Sequence, residues 1–159
     1  MPDFTANTVQ VHIASENSSG DFSHLVLQRS ETCLVYPGLW QVVTGRIEPD
    51  ETALQCAVRE AIEETGLEIK KLWTVPYLTS FFDARRNKVN FSAVFGILAD
   101  MNRKVIISEE HSAFEWLPID EFIKRLELPT HVEGTKIFQD YILNPKYDSK
   151  FLINPDEYL

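Results

Sequence analysis

Cysteine is scarce in this 159-residue chain. Cys33 and Cys56 are the only two, too few for the disulfide framework of a small secreted domain and without the repeated spacing of a zinc site. Two buried thiols are expected instead. No apolar run approaches the roughly 20 residues needed to cross a bilayer, and the N-terminal MPDFTANTVQ has no basic region leading into an apolar one. Those absences make a cytoplasmic location the expectation, with no membrane partner. Positive charge is also short: 15 Lys and Arg against 24 Asp and Glu leave a formal charge of −9, which argues against a nucleic-acid polymer as partner. With no linker, repeat or low-complexity segment, residues 1–159 read as one domain. Its 44% hydrophobic content suffices for a core without staples.

What the chain does have is concentrated in residues 45–67, GRIEPDETALQCAVREAIEETGL. Its periodicity predicts a helix from about 51 to 65, with Asp50 or Thr52 as N-cap, Gln55 completing a capping box with Thr52, and Gly66 as the left-handed exit. Leu54, Val58, Ala61, Ile62 and Thr65 form the stripe expected to face a core. At about 100° per residue, Glu60, Glu63 and Glu64 share roughly a third of the circumference, about half a turn from that stripe. Like charges at i,i+3 and i,i+4 repel, and the carbonyl end of the helix dipole disfavours anions. A divalent cation removes both penalties, and an all-oxygen donor set suits Mg²⁺ (or Mn²⁺) rather than zinc.

The rest of the chain alternates in the manner of an α/β protein. Residues 7–14 and 24–29 read as a strand pair, Tyr36-Pro37-Gly38 as a turn before a short strand at 39–44, and 69–79 with 89–98 as long strands joined by a DARRNK hairpin. A further strand is expected at 114–117. Helices at 118–126 and about 131–143 follow. The tail, 144–159, is too apolar for a disordered end, with Tyr147, Phe151, Leu152, Ile153, Tyr158 and Leu159. It could fold back on its own domain or reach a second subunit as a homodimer.

Gly45, Glu51, Arg59, Glu60, Ala61, Glu63, Glu64, Gly66 and Leu67 match the spacing of the Nudix box, G-x5-E-x7-R-E-U-x-E-E-x-G-U, with Ala61 smaller than the usual aliphatic. The chain therefore resembles the Nudix hydrolases. The resemblance implies the Nudix fold, an α/β/α sandwich with a mixed β-sheet between α-helices, and cleavage of a nucleoside diphosphate linked to another group. It also implies that Glu60, Glu63 and Glu64, helped by the Gly45 carbonyl, ligate the metal, that Arg59 orients Glu51, and that one box glutamate, Glu60 in first place, acts on the attacking water. A further acid is expected from the 108–117 segment: Glu110, with Glu109 as the alternative. His111 reads as a structural hydrogen-bonding residue, as do His12, His24 and His131.

Such chemistry needs phosphate charge neutralised, a Lewis acid and an activated water, which magnesium and a carboxylate supply together. Local cations must offset the acidic surface, and Arg29, Arg46, Arg85, Arg86 and Lys88 are the nearest. The wording Trp40-Gln41-Val42-Val43-Thr44-Gly45, together with HSAFEWL downstream, is similar to the dihydroneopterin triphosphate pyrophosphohydrolase branch, which also takes dATP-like nucleotides. On that basis a small phosphorylated substrate, a pterin or nucleoside triphosphate cut to monophosphate and pyrophosphate, is the leading expectation. Arg29, Arg46 and Trp40 are the candidate binding residues, the last by ring stacking. Phe81, Phe82 and Phe91 are either core or ring contacts. A dinucleoside polyphosphate or oxidised nucleotide is the alternative substrate, and a non-catalytic nucleotide-binding module the alternative of another class.

Overall fold

The computed structural model describes residues 1–145 and 150–158. Seven strands make one mixed sheet: β1 (Asp3–Glu16), β2 (Phe22–Arg29), β3 (Trp40–Gln41), β4 (Val43–Arg46), β5 (Lys71–Asp83), β6 (Lys88–Leu98) and β7 (His111–Pro118). The main path runs β3-β2-β1-β6-β5, with β4 on β1 and β7 on β2. Among the described residues only the β1–β6 pairing is parallel. Three helices cover the sheet: α1 (Ala53–Thr65), α2 (Ile119–Arg125) and α3 (Pro129–Phe138), the last continuing as a π-turn over Gln139–Leu143.

β1 explains the sandwich. Val9, Val11 and Ile13 join Leu25, Leu27 and Val43 in a core that includes Cys56, Ala57 and Ala61 of α1. The alternate residues look the other way, as strand geometry requires: Ala14 packs with Phe138 of α3, while Val26 and Val42 pack with Phe122 of α2. A strand buried on both faces needs a layer on each side. The strands run longer than their apolar patterns suggest, because β5 and β6 stay paired up to the hairpin, Asp83 opposite Lys88, and Asn87 takes the positive φ of 50° that the turn demands. α3 starts two residues earlier than its periodicity indicates, since Pro129 stands in its first turn.

α1 also departs from the reading of its stripe. Its cap is Thr52, closed by the Gln55 capping box, and Gly66 leaves at φ 66°. The buried arc, however, centres on Ala57 and Ala61, and it takes in Glu64 while leaving Ile62 50% exposed. Two alanines let the helix lie close to the sheet, and Glu64 falls within that arc, seven residues from one and three from the other. The acidic face therefore borders the core instead of standing opposite it. Cys33 differs from expectation too: both thiols are free, but only Cys56 is buried.

A polar layer lies between the sheet and α3. Gln10 Nε2 donates to His12 Nε2 at 2.7 Å, His12 Nδ1 to Thr135 Oγ1 at 3.0 Å, and the Thr135 hydroxyl to the His131 carbonyl at 2.8 Å. His24 Nε2 donates to Gln139 Oε1 at 2.7 Å. Histidines that show no common spacing in sequence thus converge in space. Gly134 permits the approach, since a Cβ there would stand 2.5 Å from Gln10 Nε2 and 2.6 Å from His12 Nε2. Burial drives the pKa of His24 and of His131 down to about 4, and that of His12 well below its ordinary value. The unfolded chain takes up protons near 6.5 that the folded one refuses, so stability should fall as pH drops from 6.5 towards 4. By pH 5 the loss should be about 2 kcal/mol per histidine. Urea unfolding at pH 7 and pH 5 checks this, and equal midpoints would contradict it.

Residues 150–158 fold back on the same chain. Thr74 N–H donates to the Phe151 carbonyl and Ile153 N–H to the Leu72 carbonyl, both at 2.9 Å, and Leu152 bridges to Trp73. The outer edge of β5 is covered in this way. Tyr147 and Leu159 lie outside the described residues.

Candidate active site

The loop before α1 and the helix are tied by one cation. Arg59 donates from Nε to Glu51 Oε1 at 2.7 Å and from Nη2 to Glu51 Oε2 at 2.9 Å, a forked pair. The same guanidinium reaches the Arg46 carbonyl at 3.1 Å, Glu60 Oε1 at 2.9 Å and Glu63 Oε2 at 3.2 Å. Those hydrogen bonds hold the Glu51 carboxyl down to about 2 and raise the guanidinium's own pKa. A salt bridge of this kind is not the weak surface sort, because three carboxylates and a carbonyl share one donor fan.

β4 lies against α1 at Gly45. A Cβ there would fall 2.5 Å from Glu60 Cδ and 2.6 Å from its Oε1, so only glycine lets the Glu60 carboxyl rest on the strand. Burial raises the Glu60 pKa, Arg59 opposes this, and Glu63 and Glu110 add to it. The Glu64 side chain is 5% exposed. Burial first, then Glu60 and Glu110, push its pKa up to about 9. Its Oε2 stands 3.8 Å from His111 Nε2, and neither atom has a hydrogen-bond partner among the described residues. Burial and Arg29 bring His111 down to about 4, so near neutral pH both groups are uncharged and no ion pair forms between them.

A cleft of about 810 Å³ opens above these residues, lined by Gly45, Glu60 and Glu110 together with Arg29 and Arg46. Five of the residues singled out in the sequence therefore share one cavity wall. Glu64 couples electrostatically to Glu60, Glu63, Glu110 and Arg29, whereas Glu63, 59% exposed, reaches outward to Arg59. Among the described residues no three His, Cys, Asp or Glu side chains are closed around a common ion position; Arg59 holds Glu60 and Glu63 instead. The donor set nonetheless fits a hard divalent cation. It is all oxygen, it crowds negative charge, and it includes a buried carboxylate oxygen without a partner.

Trp40 is not in the cleft. It packs with Val26, Val42 and Phe122 beneath the Arg125 guanidinium, 4.7 Å from its ring centroid. Strand alternation is the cause: Trp40 and Gln41 are the two residues of β3 and point to opposite faces. The cleft receives Gln41, not the tryptophan. Phe91 is also elsewhere, stacked on Phe4 at 6.0 Å. Phe81 and Phe82, 55% and 56% exposed, do line the cleft, as do Tyr36 and Gln41, to which the sequence assigned no binding role, and His131, which it marked as structural. The WQ dipeptide held a usable signal for Gln41, since one of two alternating residues had to face each way. Tyr36 and His131 reach the wall through a loop of positive φ at Tyr36 and the first turn of α3, neither of which leaves a periodic trace.

Among the described residues no helix is long and apolar enough to cross a membrane. The NUDIX domain matches residues 7–141. Nudix hydrolase 3 of Caenorhabditis elegans is 32% identical over 143 residues, covering 86% of this chain and 54% of that protein. The chain spans 25% and 54% of the lengths of the first curated relatives it matches. Of solved structures, a C. elegans Ap4A hydrolase binary complex superposes with a TM-score of 0.70 at 20% identity, over 86% of this chain and 97% of the other. The E. coli dihydroneopterin triphosphate pyrophosphohydrolase gives 0.65 at 23% identity, over 86% and 97%. At such identities the superpositions carry the fold alone. The box-bearing helix against Gly45, the mixed sheet between helices and the domain match over most of the chain agree, and the chain belongs to the Nudix hydrolase family.

Proposed function

We propose that this chain hydrolyses a phosphoanhydride bond in a small molecule that joins a polyphosphate to a heteroaromatic ring, with Mg²⁺ or Mn²⁺ as cofactor. The observation that carries the reading is Glu64, a buried carboxylate with an unpartnered oxygen, coupled electrostatically to Glu60 and Glu110, which themselves line a cleft together with two arginines. Glu60, Glu63, Glu64, Glu110 and the Gly45 carbonyl would hold the ion. When bound, it supplies charge neutralisation and Lewis acidity and makes water easier to deprotonate.

The chain's own residues supply the rest. Arg29 and Arg46 place the phosphates. Glu60, whose basicity is raised by burial, accepts the proton of the attacking water as the new P–O bond forms and the bridging P–O bond breaks, its electrons leaving with the departing phosphate. Arg59 keeps Glu60 and the Glu51 loop in register.

The finer reading is a pterin or purine nucleoside triphosphate cut to the monophosphate and pyrophosphate, in a cytoplasmic setting. A second reading, a dinucleoside polyphosphate, is favoured by one feature. The cleft runs into a neighbouring hollow of about 1020 Å³ that shares the Tyr36, Phe81 and Phe82 walls and adds Arg85, Arg86 and Lys88. Product analysis over dihydroneopterin triphosphate, dATP, 8-oxo-dGTP and diadenosine tetraphosphate separates these. Turnover of none would reject catalysis and leave a binding module.

Metal binding has its own test. Mg²⁺ at saturating concentration should raise the melting temperature relative to chelator, by about 5–10 °C if present at 100 times its Kd. Coincident melting curves would count against the site.

A further inference from the structure

We infer that Gln41 and His131 form the subsite that reads the substrate's ring, accepting a purine-like or pterin-like edge on which a hydrogen-bond acceptor stands beside a donor. The inference rests on the reading that this cleft is where the substrate lies. Both residues line the same cavity, and both are only 4% exposed. Gln41 Nε2 and His131 Nδ1 have no hydrogen-bond partner among the described residues. A buried polar atom left unpaired costs about 1–3 kcal/mol and is rare in a folded chain. Here the two residues that carry such atoms both line one cavity, and a ligand toward which these side chains turn and pair recovers the cost. Not every unpaired atom has this placement: His24 Nδ1 is equally unpaired but does not line the cleft.

Both residues are held firmly at the backbone. Gln41 is fixed on a two-residue strand, opposite Leu27 of β2. His131 sits in the first turn of α3, its N–H bonded to the Leu128 carbonyl and its own carbonyl to Thr135. Gln10 Nε2 anchors that turn through the Thr130 carbonyl at 3.2 Å. Such rigidity is what recognition needs. A glutamine amide offers a donor and an acceptor side by side, the pattern that pairs with the amino group and ring nitrogen of adenine. His131, held neutral by its burial, contributes one donor or acceptor and no charge. Tyr36, Phe81 and Phe82 supply flat apolar faces along the same wall. The phosphate groups, Arg29, Arg46 and Glu60, are separate residues, so ring selection and anhydride chemistry can be perturbed independently.

The test measures binding without turnover. Calorimetric titrations in Mg²⁺ would compare wild type with Gln41→Leu, Gln41→Met and His131→Phe. The probes are α,β-methylene ATP, the corresponding purine riboside analogue lacking the 6-amino group, and methylenediphosphonate, which has no ring. Each variant should bind α,β-methylene ATP at least 10-fold more weakly while methylenediphosphonate changes less than 2-fold. Wild-type preference for the 6-amino ring should shrink in the Gln41 variants. Their melting temperatures without ligand should equal or exceed wild type, because an unpaired buried group has been removed. A structural glutamine predicts the reverse, a lower melting temperature with unaltered ring preference. That result, or wild-type protein that binds no ring-bearing probe, overturns the subsite. Wild type that binds these probes yet hydrolyses no triphosphate overturns only the catalytic reading. Variants that bind as wild type does, in a protein that turns substrate over, overturn only the subsite.

Discussion

Glu64→Gln should lower turnover by about 10²- to 10⁴-fold while making the metal-free protein more stable at alkaline pH. The second effect follows from its surroundings: the carboxyl is buried beside Glu60 and Glu110 and keeps its proton up to about 9, whereas in the unfolded chain it ionises near the ordinary value of 4.5. Stability from the neutral carboxyl is therefore complete below about 4.5 and is lost as pH rises through 9. Glutamine cannot ionise, so its stability should not decline over that window. In chelator at pH 8.5 the variant should melt several degrees above wild type, and added Mg²⁺ should narrow the gap by stabilising only the wild type. Unchanged turnover, or a variant that melts lower in chelator, would defeat this account. The slope opposes that of the buried histidines, but it is one proton against four below pH 6.5, so acid still destabilises.

Gly45→Ala is expected to reduce kcat by about 10²-fold with the fold retained. Its backbone needs no positive φ, so alanine is tolerated locally, and the whole effect arises from the Cβ meeting Glu60. Glu60 cannot simply step aside, because Arg59 Nη1 holds its Oε1 at 2.9 Å and is itself committed to Glu51 and the Arg46 carbonyl. Displacing the carboxylate therefore loosens the whole fan. Steady-state kinetics with circular dichroism decide the matter: native secondary structure with weak turnover agrees, and wild-type kcat would show that Glu60 does not act from this position.

Much of this was legible in the chain. Thr52, Gln55 and Gly66 announce α1 because capping is local chemistry, and the two long strands around DARRNK announce themselves by alternation. The fate of the helix faces was not legible. Ile62 looks like a core residue, but two alanines define the buried arc, and hydropathy undervalues small residues that allow close approach. Trp40 looks like a ring platform for the same kind of reason: bulk and aromaticity mark it, while only the sheet pairing says which face it takes. Glu110 and Arg29, by contrast, were nameable from sequence, yet their place beside the Nudix box depends on β7 pairing with β2, a contact between segments about ninety residues apart that no window of sequence contains.

The short strand β3 has a wider consequence. One of its two residues is scaffold and the other lines the cavity, so on the subsite inferred above a single codon change at 41 retunes which compound is preferred without disturbing the framework or the acidic helix. A lineage built this way can drift between chemically related targets in single steps, keeping the bond it breaks constant throughout.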